Sequence, residues 1–299
     1  MIPDPSPEEA IRDLLELLEL EAIDANIFRG QNEKRRPGRL FGGQVAAQAL
    51  VAAGRTIEGG KPAHSLHGYF LRPGDPNVPV VYSVDRIRDG RSFATRRVVA
   101  QQRGRAIFNM SASFHDPEPG YEHQHAMPAV PPPLRMPSRR EWAERLSEQI
   151  PEQFRAWAAR RGPIETRHHH APTFISRDPH PGPQDVWMKA VTELPDDPFL
   201  HQCVLAYASD MSLLDAIVQS HGRIGALGPL MTASLDHAVW FHRPLRADRW
   251  LLYHQDSPIA FGARGLARGM IYTEEGVLVA STAQEALVRP ARSPEDRAE

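Results

Sequence analysis

The chain has 299 residues, 41% of them apolar and 24% charged, a composition that excludes disorder and suits a globular protein with a sizeable core. A net charge of -2 and a pI near 6.7 give no global field for nucleic acid. No apolar run approaches the ~20 residues a bilayer span needs, so no membrane partner is expected. Cys203 is alone, which excludes an intrachain disulfide framework and suits a reducing compartment. Met1-Ile2-Pro3-Asp4-Pro5 carries no leader pattern and Asp296-Arg297-Ala298-Glu299 no peroxisomal address, so a cytoplasmic location is expected. Lys occurs only at positions 34, 61 and 189, and every other basic residue is Arg. Coding bias explains that, although Arg also offers forks for phosphate.

Ser6-Pro7-Glu8-Glu9 reads as an N-cap, a Pro at the first helical position and a capping-box acid. Ile11, Leu14, Leu15 and Leu18 then share one face of a short helix. Leu20 to Arg29 is expected as one strand and Gln31 to Arg39 as a polar loop. Phe41-Gly42-Gly43 leads into Gln44 to Ala53, small and apolar nearly all round, the pattern of a helix buried on every side. Strands follow from Val78 to Ile87, with turns at Asp89-Gly90 and Arg103-Gly104. Asp116 to Pro137 is Pro-dense and reads as an extended connector, with an Arg/Glu-rich helical pair from Ser138 to Arg161 broken at Pro151. The pattern then recurs: strand from Asp185 to Leu194, helix from Ser209 to Gln219, strands from Ala233, and a last turn at Glu275-Gly276.

Two stretches read as copies. His64 to Pro73 leads into strands ending at Phe114, and Ser234 to Pro244 leads into strands ending at Glu285. With Arg72-Pro73 laid on Arg243-Pro244, Phe114 falls on or beside Gln284, and Gly43 falls near Asp210. One antiparallel sheet around one buried helix, made twice, suggests an α+β double hotdog of two sheets, each wrapped around a long buried helix. The expected units are an N-terminal hotdog over 1–118, a linker with surface helices over 119–163, a C-terminal hotdog over 164–291 and a tail over 292–299.

Several segments are similar to type II acyl-CoA thioesterases. They are Phe41-Gly42-Gly43-Gln44, His64-Ser65-Leu66-His67 with Leu71-Arg72-Pro73-Gly74-Asp75, and Tyr207-Ala208-Ser209-Asp210. Leu235-Asp236-His237 with Trp240 to Pro244, Ala263-Arg264-Gly265 and Ser281 to Glu285 complete the set. The resemblance runs from about Leu17 to Arg289 and implies hydrolysis of fatty acyl-CoA. Carried over residue by residue, it implies that Asp210, Ser234 and Gln284 hold the hydrolytic water.

Thioester hydrolysis needs a water, a base and donors for the oxyanion. Asp210 is the candidate base; with Ser209 as N-cap it would sit in a first helical turn, at the positive end of the macrodipole. A solvated first-turn acid would look the same. Gln284 lies on the face of the last strand shared with Leu278, Ala280 and Thr282, as a strand end or a placed amide. Ser234 alone is as consistent with a turn. Backbone N–H groups at Gly43 and Gln44 are candidate oxyanion donors, although close helix packing explains the same glycines.

Arg72, Arg243 and Arg264 are candidates for CoA phosphates or for pinning turns. His168-His169-His170 reads as a loop without metal-ligand pairing, and His237 and His242 as packed strand residues, with assistance to catalysis as the alternative. No cofactor is expected. The expected partner is acyl-CoA, with a homo-oligomer (dimer or tetramer) open. A hotdog enoyl-CoA hydratase and a non-catalytic acyl-CoA-binding protein are the competing readings.

Overall fold

The computed structural model describes residues 4–291, apart from 34–37, 151, 177, 223, 226 and 227. Expectations that fall on Met1 to Pro3, Lys34, Pro151 and the 292–299 tail lie outside the described residues. Helix α1 (Pro7–Leu18) starts with both halves of its capping box in place, and buries Ile11, Leu14, Leu17 and Leu18. The single strand expected over Leu20 to Arg29 is instead a hairpin of β1 (Glu21–Asp24) and β2 (Ile27–Gly30). Asp24 accepts a hydrogen bond from the Ala25 N–H and the chain reverses there. Helix α2 (Gly42–Gly54) is buried from Gly43 to Ala53, as its small apolar sequence requires. Strands β3 (Ala63–Phe70), β4 (Val80–Asp89), β5 (Phe93–Gln102) and β6 (Arg105–His115) complete the first half.

The connector runs without regular structure to Pro132. Its Gln124 bonds Gly276 and Leu278, and the Trp187 indole donates to the Pro131 carbonyl, so it lies across the outer face of the second half. Helices α3 (Arg139–Arg145) and α4 (Glu152–Ala159) follow. The second half is built of β7 (Ile164–His168), β8 (Gln184–Ala190), α5 (Pro198–Ser209), α6 (Asp215–Val218), β9 (Ile224–Gly225), β10 (Gly228–Ser234), β11 (Asp236–Phe241), β12 (Leu251–Phe261), β13 (Arg264–Thr273) and β14 (Leu278–Pro290).

The second buried helix corrects the expected one. It ends at Ser209, where a helix was expected to begin. Its N-cap is Asp197, whose side chain accepts from the Phe199 N–H, with Pro198 at the first helical position. Asp210 is therefore a C-cap and not a first-turn acid, and its own helix presents it with the negative end of the dipole.

The strand order is a palindrome: β1-β2-β4-β5-β6-β3 continues into β11-β14-β13-β12-β8-β7. Each half supplies one sheet, and the two sheets meet edge to edge through β3 and β11, with Ala238 opposite His67. Inside, α2 and α5 pack antiparallel and close. Gly43 at the start of α2 lies against the Tyr207 carbonyl near the end of α5, and Gly54 at the end of α2 against Phe199 near its start, with no room for a side chain at either glycine. Both helices and both inner sheet faces share one core.

Sheet register fixes which residues of the two halves correspond. His67 pairs with Ser111 on β6, and Ala238 pairs with Ala283 on β14. With Arg72 laid on Arg243, Gln284 therefore matches Ala112, and Phe114 matches Ala286; the expected match of Phe114 with Gln284 was two residues out. Asp210 likewise matches Arg55, the C-cap of α2, and not Gly43.

Candidate active site

Because α2 and α5 run antiparallel, the end of α5 meets the start of α2. A Cβ on Gly42 would lie 2.7 Å from Asp210 Oδ2, so only glycine lets the carboxylate this close to the first turn. The positive dipole end facing Asp210 thus comes from the other half of the molecule. The Asp210 side chain is 5% exposed. On β14, the Gln284 amide donates to Asp210 Oδ1 at 2.6 Å, while its Oε1 is buried without a hydrogen-bond partner. The carboxylate can only accept, which fixes the orientation of the amide.

Two further groups close in from the sheet. His237 on β11 is fully buried, with Nε2 2.8 Å from Ser209 Oγ and Nδ1 4.0 Å from Asp210 Oδ1. The Tyr253 hydroxyl on β12 donates to the Ser209 carbonyl at 3.1 Å and lies 2.8 Å from Thr282 Oγ1. Burial lowers the His237 imidazole below its usual range, opposed by the nearby Asp210 and Asp236 carboxylates, and burial pushes the Tyr253 phenol up. Both rings are therefore neutral near pH 7. The sequence carries a signal for His237, since the other copy has Leu66 at that place.

Asp210 lies on the wall of a cavity of about 930 Å³ between the halves, with Phe41, Gly42, Phe70, Met211 and Ser234. Ser234, at the end of β10, shares that wall without bonding either Asp210 or Gln284. Of the expected oxyanion donors, neither Gly43 nor Gln44 lines the cavity; Gly42 does. Gly43 is pressed against α5, and the Gln44 side chain is turned away to Asn32 and Gln31.

The three arginines separate. Arg72 lines the cavity and donates to the Ala106 carbonyl, and Arg39, unexpected from sequence, lines it too. Arg243 instead ties the connector to the sheet through Gln124, Glu122 and the Leu278 carbonyl. Arg264 pairs with Glu285, away from that wall. His168 is not in a loop but ends β7, buried, bonded to Thr166 Oγ1 and pushed down to about 3 by burial; only His169 and His170 lie beyond the strand. Cys203 is buried in the core, which pushes its thiol up. His242 bonds Ser281 Oγ at 2.8 Å.

The matching place in the first half is filled. Arg96 on β5 pairs with Ala112 as Ala267 on β13 pairs with Gln284. Its side chain is fully buried and reaches the end of α2, bonding Thr56 Oγ1 at 2.7 Å and the Thr56 carbonyl at 3.0 Å. The Arg88 and Thr95 carbonyls and Asp89 Oδ1 take its remaining donors.

The chain matches known proteins along almost all of its length. A family model described as acyl-CoA thioesterase matches residues 163–287, and one described as acyl-CoA thioesterase N-terminal domain matches residues 32–115. Acyl-CoA thioesterase 2 of Haemophilus influenzae is 37% identical over 281 residues, covering 94% of this chain and 98% of that protein. Acyl-coenzyme A thioesterase 8 of Mus musculus is 39% identical over 282 residues, covering 91% and 88%. The crystal structure of an acyl-CoA thioesterase II from Mycobacterium marinum superposes with a TM-score of 0.74 at 45% identity, covering 92% of this chain and 98% of that one. A hot dog fold protein from Alicyclobacillus acidocaldarius, 20% identical with a TM-score of 0.72, shares the fold. With both halves matched and the fold shared, this chain belongs to the acyl-CoA thioesterase family.

Proposed function

We propose that this protein hydrolyses fatty acyl-CoA to the free acid and CoA, with Asp210 as general base. The observation that carries the reading is the Gln284-to-Asp210 hydrogen bond of 2.6 Å, between a buried amide and a carboxylate on the cavity wall. Gln284 keeps one carboxylate oxygen, Oδ1, oriented from within the core. Asp210 takes a proton from the attacking water as the oxygen adds to the thioester carbon. The tetrahedral oxyanion is met by backbone N–H groups at the start of α2, beginning with Gly42, where no helical partner exists. Collapse expels the CoA sulfur, which recovers the proton from Asp210. Ser234, on the same wall, is the third member of the set that steers the water.

The cavity walls come from both halves, so the reading gives one site per chain, with the N-terminal unit over 1–118 and the C-terminal unit over 164–291. Arg72 and Arg39 at this cavity are the residues that meet CoA phosphates. A cytoplasmic location and a dimeric or tetrameric state belong to the same proposal; among the described residues no helix is long and apolar enough to cross a membrane. Asp210→Asn tests it: turnover of an acyl-CoA ladder, followed by released thiol, should fall by ~10²–10⁴ with the fold retained. Turnover within about threefold of wild type would remove Asp210 from the role.

A further inference from the structure

The proposed reaction gives His237 no part. We propose that His237 is a positioning residue for Asp210, directing its Nδ1–H at carboxylate Oδ1 while the Ser209 hydroxyl holds the ring from behind. The proposal rests on Asp210 being the base.

Three observations carry it. The ring is fully buried, yet Nδ1 has no hydrogen-bond partner and faces Asp210 Oδ1 at 4.0 Å. A polar ring buried with one nitrogen unpaired costs free energy. The first half packs the same place with Leu66, so packing alone does not require a polar ring there.

The tautomer follows from the neighbours. Ser209 Oγ has a single hydrogen and two possible acceptors, His237 Nε2 at 2.8 Å and the Ala206 carbonyl at 3.1 Å. A bare Nδ1 would aim a lone pair at an anionic oxygen, whereas Nδ1–H aims a dipole at it. The field of Asp210 therefore selects Nδ1–H, with Ser209 donating to Nε2. The other titratable groups around the ring are Asp236 on its own strand and Tyr253 on β12, with Asp215 on α6 along the same cavity. Asp236 accepts from the Glu285 N–H, and burial raises its carboxyl.

The test separates the two ring nitrogens. Gln at 237 reproduces the Nε2 end that meets Ser209, and Asn reproduces the Nδ1 end that meets Asp210. For His237→Gln, the acid limb of the pH profile of kcat/KM should rise by about one pH unit. Its kcat should fall about tenfold with KM within about twofold. For His237→Asn, the limb should stay within about 0.3 units of wild type, although the Ser209 contact is gone. Histidine ¹⁵N NMR of the wild-type protein should show a neutral ring protonated at Nδ1, a result that needs no variant to fold. An unmoved limb in His237→Gln, equal shifts in both variants, or an Nε2–H tautomer would each overturn the proposal. Asp210→Asn run alongside distinguishes the failures. If it stays active, the base assignment falls and His237 with it; if it is dead while the His237→Gln limb is unmoved, only the role of His237 falls.

Discussion

The two halves share a strand order, a buried helix and a turn grammar, and beside the cavity they part at one matched location. In the second half it holds Ala267, Gln284, His237 and the Asp210 C-cap; in the first it holds Arg96, Ala112, Leu66 and the Arg55 C-cap. Two devices in the first half keep that place from becoming a site. The matching residues carry no carboxylate and no amide, and the Arg96 side chain occupies the volume. All five N–H donors of Arg96 are satisfied, four by Thr56, Arg88 and Thr95 and one by Asp89, so a buried cation is tolerated there. On the proposed reading, the duplicated fold divides into a half that holds the reactive groups and a half that supplies α2 and a wall.

The largest effect on this comparison should come from Arg96→Ala. It leaves a void and strips Thr56 of its donors, at about 3–5 kcal/mol of stability by denaturant unfolding. Turnover per folded molecule should remain within about twofold, because Arg96 touches neither Asp210 nor Gln284. Calorimetry with a non-hydrolysable acyl-CoA analogue should still count one site per chain. A second site appearing in the variant would mean that the plug alone, and not the missing carboxylate, separates the halves.

Gln284→Ala gives the second half the residue of the first. Losing a hydrogen bond to a charged group should lower kcat/KM by about 10–100-fold, with little change in the melting temperature. The double variant with Asp210→Asn should be hardly slower than Asp210→Asn alone, because the amide works through the carboxylate. Additive losses in that cycle would show that Gln284 acts on the water or substrate independently.

Much of this division was legible in the residues. Periodicity, glycine turns and the repeated Arg-Pro segments located the strands, α2 and the connector, and the resemblance named Asp210 and Gln284. The second helix misled because Ser209-Asp210 has the form of an N-cap, while the real start at Asp197-Pro198 precedes an apolar run with little amphipathic contrast. Shifting that helix moved the match of Asp210 from Arg55 to Gly43, and the match of Gln284 slipped because strand ends do not fix register. Arg96 was invisible for another reason. An Arg on an alternating strand reads as solvent-facing, and only the three-dimensional meeting of β5 with the end of α2 shows five buried donors. His237 is set against Leu66 by the Arg-Pro alignment alone, but only the fold brings its ring to within 4.0 Å of Asp210.

The smallest expected effect concerns how each half pins the turn after its Arg-Pro segment. In the first half Gln102 does so with neutral bonds: its Nε2 donates to the Asp75 and Val78 carbonyls and its Oε1 accepts from the Asp75 N–H. In the second half Asp248 accepts from Arg246 Nε and Nη2 and from the Leu194 N–H. Burial alone would raise the Asp248 carboxyl from its ordinary 3.8, but these donors outweigh it and hold it at about 2. A carboxyl lowered on folding stabilises above its unfolded value, and that contribution is lost as pH falls through the folded one. Asp248→Asn should therefore cost about 1 kcal/mol at pH 7, less than the full shift implies because water reaching Arg246 screens the pair. The difference from wild type should shrink between about pH 4 and pH 2. Gln102→Ala should destabilise by an amount that stays constant across that window. A pH-dependent cost at Gln102, or a constant one at Asp248, would show that the two turns do not differ in the way their hydrogen bonds indicate.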